Sequence, residues 1–320
     1  TKKMDGRLEK ELSIYSFINE LETNNPNSHI LMTSSHVGDV FAALALLEPF
    51  RTKWDVKDLL IITDKKFFFL LKIFQGVEKV AFLPAAYADF IIFGTLGAKL
   101  SMNQIQPGRV TIAHPVALEK LVGKNGWSFF DMLRFQIGLD ESNEFTLPVP
   151  YRCDNEDLRQ DLVKQFAGKK VIYLFDSARA MRIAKDFSIY IECLINDAVE
   201  RGYEIVVNGN KGSGLINNDL LIPEEHVHYL DVGLNDIPWI AEYFKNVVVL
   251  RNGIADMLTS ANINMMVLYS PCPSNFLGNQ TRYIDYFPLR HYKKRARILE
   301  MELTDINIAL EKTFDLFENV

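Results

Sequence analysis

The sequence predicts an α/β protein made of two doubly wound, Rossmann-like domains, and three observations predict it. Short apolar runs rich in Val, Ile and Leu alternate with helix-length segments along most of the chain, the pattern of a parallel sheet covered by helices on both faces. The alternation thins between residues 140 and 167 and then begins again, so the pattern is laid down twice. The length, 320 residues, is long for one core and suits two domains of roughly 150 residues each.

The elements follow in order. Residues 1–27 read as a polar helix with Leu8, Leu12, Tyr15, Ile18 and Leu21 on one face, closed by Asn24-Asn25-Pro26-Asn27. Ile30-Leu31-Met32 is a buried first strand. Val40 to Leu47 is apolar without a polar side, a helix buried all round and ended by Glu48-Pro49. Strands are expected at residues 59–63, 79–83, 90–93 and 110–113, with helices at 67–74 and 127–137. The stretch from Pro148 through Asp157 is a linker leading into a helix, and the domain boundary is placed near residue 165. In the second half, strands are expected at 170–175, 203–207, 227–230, 247–250 and 265–269, and helices at 187–200, 237–244 and 254–261. Leu303, Ile306, Leu310, Phe314 and Phe317, spaced three and four apart, mark an amphipathic terminal helix.

The totals exclude several classes. Lys and Arg number 35 against 41 Asp and Glu, a formal charge of −6, which argues against a general nucleic-acid binder. Cys153, Cys193 and Cys272 lie far apart without metal-ligand spacing, as suits a reducing compartment. No apolar run approaches the ~18 residues of a membrane span, and nothing at Thr1 resembles a signal peptide. The expectation is a cytoplasmic protein.

Two turns stand out because each joins a strand to a helix through a glycine. The first is Ser34-Ser35-His36-Val37-Gly38-Asp39-Val40 and the second is Arg251-Asn252-Gly253. In doubly wound domains, ligands bind at the carboxyl ends of the strands, here facing a shared cleft. Asp39 at a helix start is either a functional carboxylate or a plain N-cap. Gly38 allows close approach of a ligand or simply makes the turn. His36 reads first as a loop histidine, and Ser34 and Ser35 either donate to a ligand or bond the local backbone.

The first turn resembles the opening loop of the heptosyltransferase-like glycosyltransferases (glycosyltransferase family nine), Ser-Ser-x-Gly-Asp-Val, with His36 and Val37 standing where that family has one residue. The resemblance runs from about His29 to Tyr269. It implies the GT-B fold, with residues 1–165 as the acceptor-side domain and 166–302 as the nucleotide-sugar domain. Residues 303–320 would form a helix that crosses back to the first domain, the polar run 292–302 making the crossing. It implies an inverting, metal-independent transfer of a sugar from a nucleotide-sugar donor to a hydroxyl of a bacterial surface glycan or glycolipid. Asp39 would then be the base. In the second domain the family reads Asp-(Ser/Thr)-Gly and, three residues on, His. This chain has Arg251, Asn252, Gly253 and Asp256 at those positions. These four, with Asn208 and with Ser177, Arg179 and Arg182 of the loop 176–185, are the candidate donor-binding residues. An Arg251–Asp256 pair that merely holds the turn is the competing reading, and the loop's cations compete with a solvated loop.

No cofactor or metal is expected: the sequence has no Asp-x-Asp, and His226 and His228 lack an acidic or Cys partner at ligand spacing. The glycine-rich segment 209–214 lacks a P-loop ending and reads as a mobile loop beside the nucleotide. His114-Pro115 ends a strand and reads as structural before acceptor-binding. The basic run 291–297 is a candidate for anionic lipid, which would bring the protein to the inner membrane face, or a solvated approach to a helix. The alternatives to a transferase are a GT-B-like nucleotide-sugar epimerase and a non-catalytic nucleotide-sugar-binding protein.

Overall fold

The computed structural model describes residues 2–33, 36–83, 109–115, 126–178, 185–216, 219–271 and 282–319. The chain forms two compact units, Thr1–Val149 and Pro150–Val320. The expected strand at 90–93 lies outside the described residues.

In the first unit, helix α1 (Lys2–Asn24) precedes strand β1 (His29–Met32). Helices α2 (Val37–Ala45) and α3 (Leu47–Trp54) lead to β2 (Leu59–Thr63). Helix α4 (Phe68–Ile73) leads to β3 (Lys79–Phe82). Strand β4 (Val110–Ile112) and helix α5 (Phe129–Gln136) follow. All strand pairs are parallel, in the order β3-β2-β1-β4. Ile14 and Ile18 of α1 pack on Ile30, Met32, Leu60, Ile62 and Ile112, the side chains of one sheet face. Leu12, expected on that face, is 60% exposed; Ile14 takes its place. Arg109 ties the end of α1 to the start of β4, its guanidinium donating to the carbonyls of Glu22, Asn25 and Ser28.

The apolar run after Gly38 is buried throughout, from Val40 to Leu47. The helix does not reach Glu48-Pro49. α2 ends at Ala45, and Pro49 sits in the first turn of α3, where a missing N–H removes no helical bond.

In the second unit, α6 (Glu156–Phe166) precedes β5 (Lys170–Phe175), α7 (Lys185–Glu200) and β6 (Tyr203–Asn208). After β7 (Val227–Leu230) come α8 (Ile237–Phe244), β8 (Asn246–Leu250) and α9 (Gly253–Leu258). β9 (Asn264–Tyr269), β10 (Arg297–Glu302) and α10 (Ile306–Glu318) complete it. The sheet is parallel, in the order β10-β9-β8-β5-β6-β7. The division falls before α6 rather than at residue 165, because Phe166 seats its ring against Phe244 and His228 of this unit.

The end of the chain corrects an expectation. Residues 297–302 do not carry the chain away to the first domain; they form β10, paired with β9 along its whole length. The mixed polar and apolar sequence Arg-Ile-Leu-Glu-Met-Glu, exposed or half-buried throughout, suits an edge strand. α10 then packs within the same unit. Tyr190 of α7 bonds Thr313 at 2.9 Å, Phe314 lies against Tyr203, and Arg201 pairs with Glu318 at 3.2 Å. The predicted apolar stripe is real, since Leu303, Leu310, Phe314 and Phe317 are buried, but it covers its own sheet.

Both sheets have a point where the strand order reverses, between β1 and β4 in the first and between β5 and β8 in the second. A crevice opens at the carboxyl ends of the strands at such points.

Candidate functional site

At the first reversal point, backbone pairing sets the site. Ala113 N–H donates to Met32 O at 2.8 Å, which aligns the ends of β1 and β4. The turn leaving β1 and the residue two beyond β4 therefore meet. His36 is the N-cap of α2 without a side-chain cap bond, its carbonyl accepting from Val40 N–H, and Asp39 lies in the first helical turn. Asp39 is thus neither exposed solvent decoration nor the N-cap itself. Its Oδ2 is 3.3 Å from His114 Nε2 and 3.6 Å from His36 Nδ1. The side chains of His114, Asp39 and His36 are 5%, 21% and 59% exposed, so the three run from the interior to the surface.

Burial alone would push the Asp39 carboxyl up. Hydrogen bonding and charge from His114, and then from His36, outweigh it and hold the carboxyl well below the usual carboxylate range. The helix N-terminus acts in the same direction. His114 is fixed in turn, its ring edge-on to Phe129 at 5.6 Å. Phe129 opens α5, which is held by a reciprocal Ser128–Asp131 capping box. Sequence reasoning ranked His114 as structural. Ser34 and Ser35 lie outside the described residues.

At the second reversal point, Asn252 caps α9 with its Oδ1 on Ile254 N–H at 2.9 Å. Its Nδ2 donates across the point to the carbonyl of Ser177 at 2.9 Å. Arg251 and Asp256 form a bidentate pair at 2.7 and 2.8 Å and are both buried. Arg251 also donates to the carbonyls of Phe287 and Asn252, at 2.9 and 2.6 Å. Burial opposes the guanidinium charge, and the Asp256 carboxylate more than restores it, so Arg251 stays cationic. These two side chains hold the turn, and neither is presented to solvent; Asn252 and Gly253 are half-buried. Ser177 is exposed, whereas Arg179 and Arg182 lie outside the described residues.

The neighbouring strand ends are also committed. Asn208 accepts from the Tyr173 hydroxyl at 2.6 Å. The segment 209–214 is tied to its neighbours by hydrogen bonds. Gly209 N–H donates to Leu230 O, Asn210 to Asp231 and Lys211 to Glu224. Buried Asp176 accepts from Ile216 N–H at 3.0 Å, and burial raises its pKa. A Cβ on Gly214 would fall 2.1 Å from the Asp176 carboxylate, so only glycine fits there.

Neither a family model nor a curated protein matches this chain by sequence. Solved structures do match. The ADP-heptose lps heptosyltransferase II of E. coli aligns with TM-score 0.58 over 91% of this chain and 99% of its own, at 15% identity. A glycosyl transferase family 9 protein from Veillonella parvula aligns with TM-score 0.53 over 89% and 88%, at 12% identity. The fold is that of the heptosyltransferases. E. coli heptosyltransferase WaaC with ADP gives TM-score 0.52 over 91% and 98%, at 14% identity.

Away from these turns, His226 and His228 meet an acidic partner that stands at no ligand spacing in the sequence. Glu204 Oε2 lies 3.5 and 2.9 Å from their ring nitrogens, and Lys169 sits 3.4 Å from its other oxygen. Among the described residues no group of three or more His, Cys, Asp or Glu is placed to hold a metal ion. No described helix is long and apolar enough to cross a membrane. In the basic run, Arg295 and Arg297 turn to main-chain carbonyls of Ser260 and Asn319, at 3.2 and 2.6 Å, while Lys293 and Lys294 are exposed.

Proposed function

We propose that this chain is an inverting, metal-independent glycosyltransferase that moves a sugar from a nucleotide-sugar donor to a hydroxyl of a surface-glycan or glycolipid acceptor. The observation that carries the reading is Asp39, an ionised, partly accessible carboxylate at the reversal point of the first sheet, bracketed by two histidines. Such a group can take the proton of an acceptor hydroxyl as its oxygen attacks the anomeric carbon. The new C–O bond forms on the face opposite the departing nucleoside diphosphate, which leaves with the electrons of the old C–O bond, so the centre inverts.

The donor falls to the second unit in this reading. With Arg251 and Asp256 spent on each other, the main chain at Asn252-Gly253 and the loop after β5, with Ser177, Arg179 and Arg182, are left for the diphosphate. The fold neighbours include an ADP-heptose enzyme and a heptosyltransferase with ADP, which makes ADP-sugars the first donors to try. Work on a lipid-linked acceptor would bring the protein to the inner face of the membrane, where exposed Lys293 and Lys294 suit anionic headgroups.

The test is a panel of nucleotide sugars read by thermal shift, followed by sugar release with and without added acceptor. A donor that raises Tm by mass action, and release that depends on acceptor and survives excess EDTA, are the expected results. Silencing by EDTA with recovery on magnesium or manganese would refute metal independence, and acceptor-independent turnover would refute transfer.

A further inference from the structure

We propose that His114 is a positioning residue for Asp39, gripping from the neighbouring strand the carboxylate that the reaction uses as its base. The proposal rests on the reading of Asp39 given above and names a residue that the turn's own sequence does not contain.

The geometry is asymmetric in a telling way. His36 belongs to the same turn as Asp39, is mostly exposed and stands 3.6 Å away. An exposed side chain at that distance exchanges its partner for water at little cost. His114 lies two residues beyond β4, is almost fully buried and stands at 3.3 Å. Its backbone is set by the β1–β4 ladder, with Met32 opposite Ile112, and its ring by Phe129 at the capped start of α5. Turning that ring away would displace the aromatic contact, so the Nε2 position is given by the fold and not by the ligand.

A carboxylate in a partly buried place needs such a donor. Without one, burial favours the neutral acid, which accepts no proton from a hydroxyl. Among the described residues, the titratable groups facing Asp39 are His114 from the end of β4 and His36 from its own turn. His114 Nε2 donating to Oδ2 keeps the group ionised. The consequence is a signed one. Removing His114 raises the Asp39 pKa, so the acid limb of kcat/KM moves to higher pH, whereas a merely space-filling histidine would change stability and leave that limb in place.

The experiment uses the full chain with 13Cγ-labelled aspartate, titrated by NMR as wild type, His114→Gln, His114→Asn and His36→Gln. The Asp39 signal, assigned through Asp39→Asn, should stay ionised through pH 4 in the wild type. It should move up by about one unit or more in a His114 variant, and by less in His36→Gln. Should both His114 variants fail to fold, the ring of His114 reports instead, since its 15N signals in Asp39→Asn must differ from wild type if the contact is made. An Asp39 midpoint unchanged by loss of His114, or His114 signals blind to Asp39→Asn, overturns the proposal and leaves the transferase reading, which stands on donor binding, untouched. A wild type that shifts with no nucleotide sugar would overturn that reading instead, whatever the titration gives. With a donor and acceptor in hand, the kcat/KM profile of His114→Gln should show the displaced acid limb.

Discussion

The two reversal points of this molecule share a topology and differ in how their charges are used. At the first, the contact is between titratable side chains from the start of α2 and the loop after β4, and the carboxylate at its centre remains partly open to solvent. At the second, the charges sit five residues apart on one turn, Arg251 against Asp256, buried and bidentate. What faces outward there is a capping amide and main chain. A reactive group needs an ionised side chain held by donors yet reachable. A diphosphate-sized anion is served by fixed N–H groups and needs no side chain that titrates. The same strand order therefore yields a candidate for proton transfer in one unit and a candidate cradle in the other.

The largest expected effect tests whether the second unit is complete in itself. Removing residues 303–320 strips Leu310, Phe314, Leu316 and Phe317 from its sheet. At ~1.5–3 kcal/mol for each large buried side chain, the loss rivals a domain's whole stability of ~5–15 kcal/mol. The unfolding transition of the second unit should vanish, by calorimetry or urea titration, while that of the first persists. The opposite pattern would return the terminal helix to the first unit.

Next in size is the buried pair. Asp256→Ala leaves the Arg251 guanidinium buried and unpaired and should cost about 3–5 kcal/mol by urea unfolding. The double variant Arg251→Met with Asp256→Leu should recover most of that and keep nucleotide-sugar binding. A double variant that folds and no longer binds donor would erase the contrast between the two points.

The smallest effect concerns His29, the first residue of β1, whose pKa burial pushes down to about 4. An unfolded histidine titrates near 6.5, so between those values the unfolded chain binds more protons and stability falls as pH drops. His29→Gln removes this contribution. Its urea midpoint should fall less than that of wild type between about pH 7 and pH 4.5, and equal slopes would contradict the assignment.

Much of the fold could be read from local pattern. A buried parallel strand such as Leu59–Thr63 is a continuous apolar run, and the turns at Gly38 and Gly253 announce strand-to-helix joints. β10 was not legible, because a strand whose half-buried Glu300 and Glu302 accept from Tyr269, Leu289 and Arg282 carries the composition of a linker. Nor was the destination of α10, since an apolar stripe says that it is buried and not against what. The candidate site divides in the same way. Asp39 is marked by its own turn, while His114 becomes its partner only through the β1–β4 pairing, which no local spacing encodes. Arg251 and Asp256 were visible as departures from a family pattern, but whether they met a ligand or each other depended on side-chain direction.

The measurement that bears most directly on the central claim is donor binding and transfer measured side by side for Asp39→Asn. The amide keeps the shape of the side chain and its place on the helix while removing the base. Donor affinity should stay within a few-fold of wild type, and acceptor-dependent transfer should fall by roughly 10²–10⁴, the usual reach of general-base catalysis. Near-normal turnover in Asp39→Asn would remove Asp39 from the mechanism and the proposed reaction from the first reversal point.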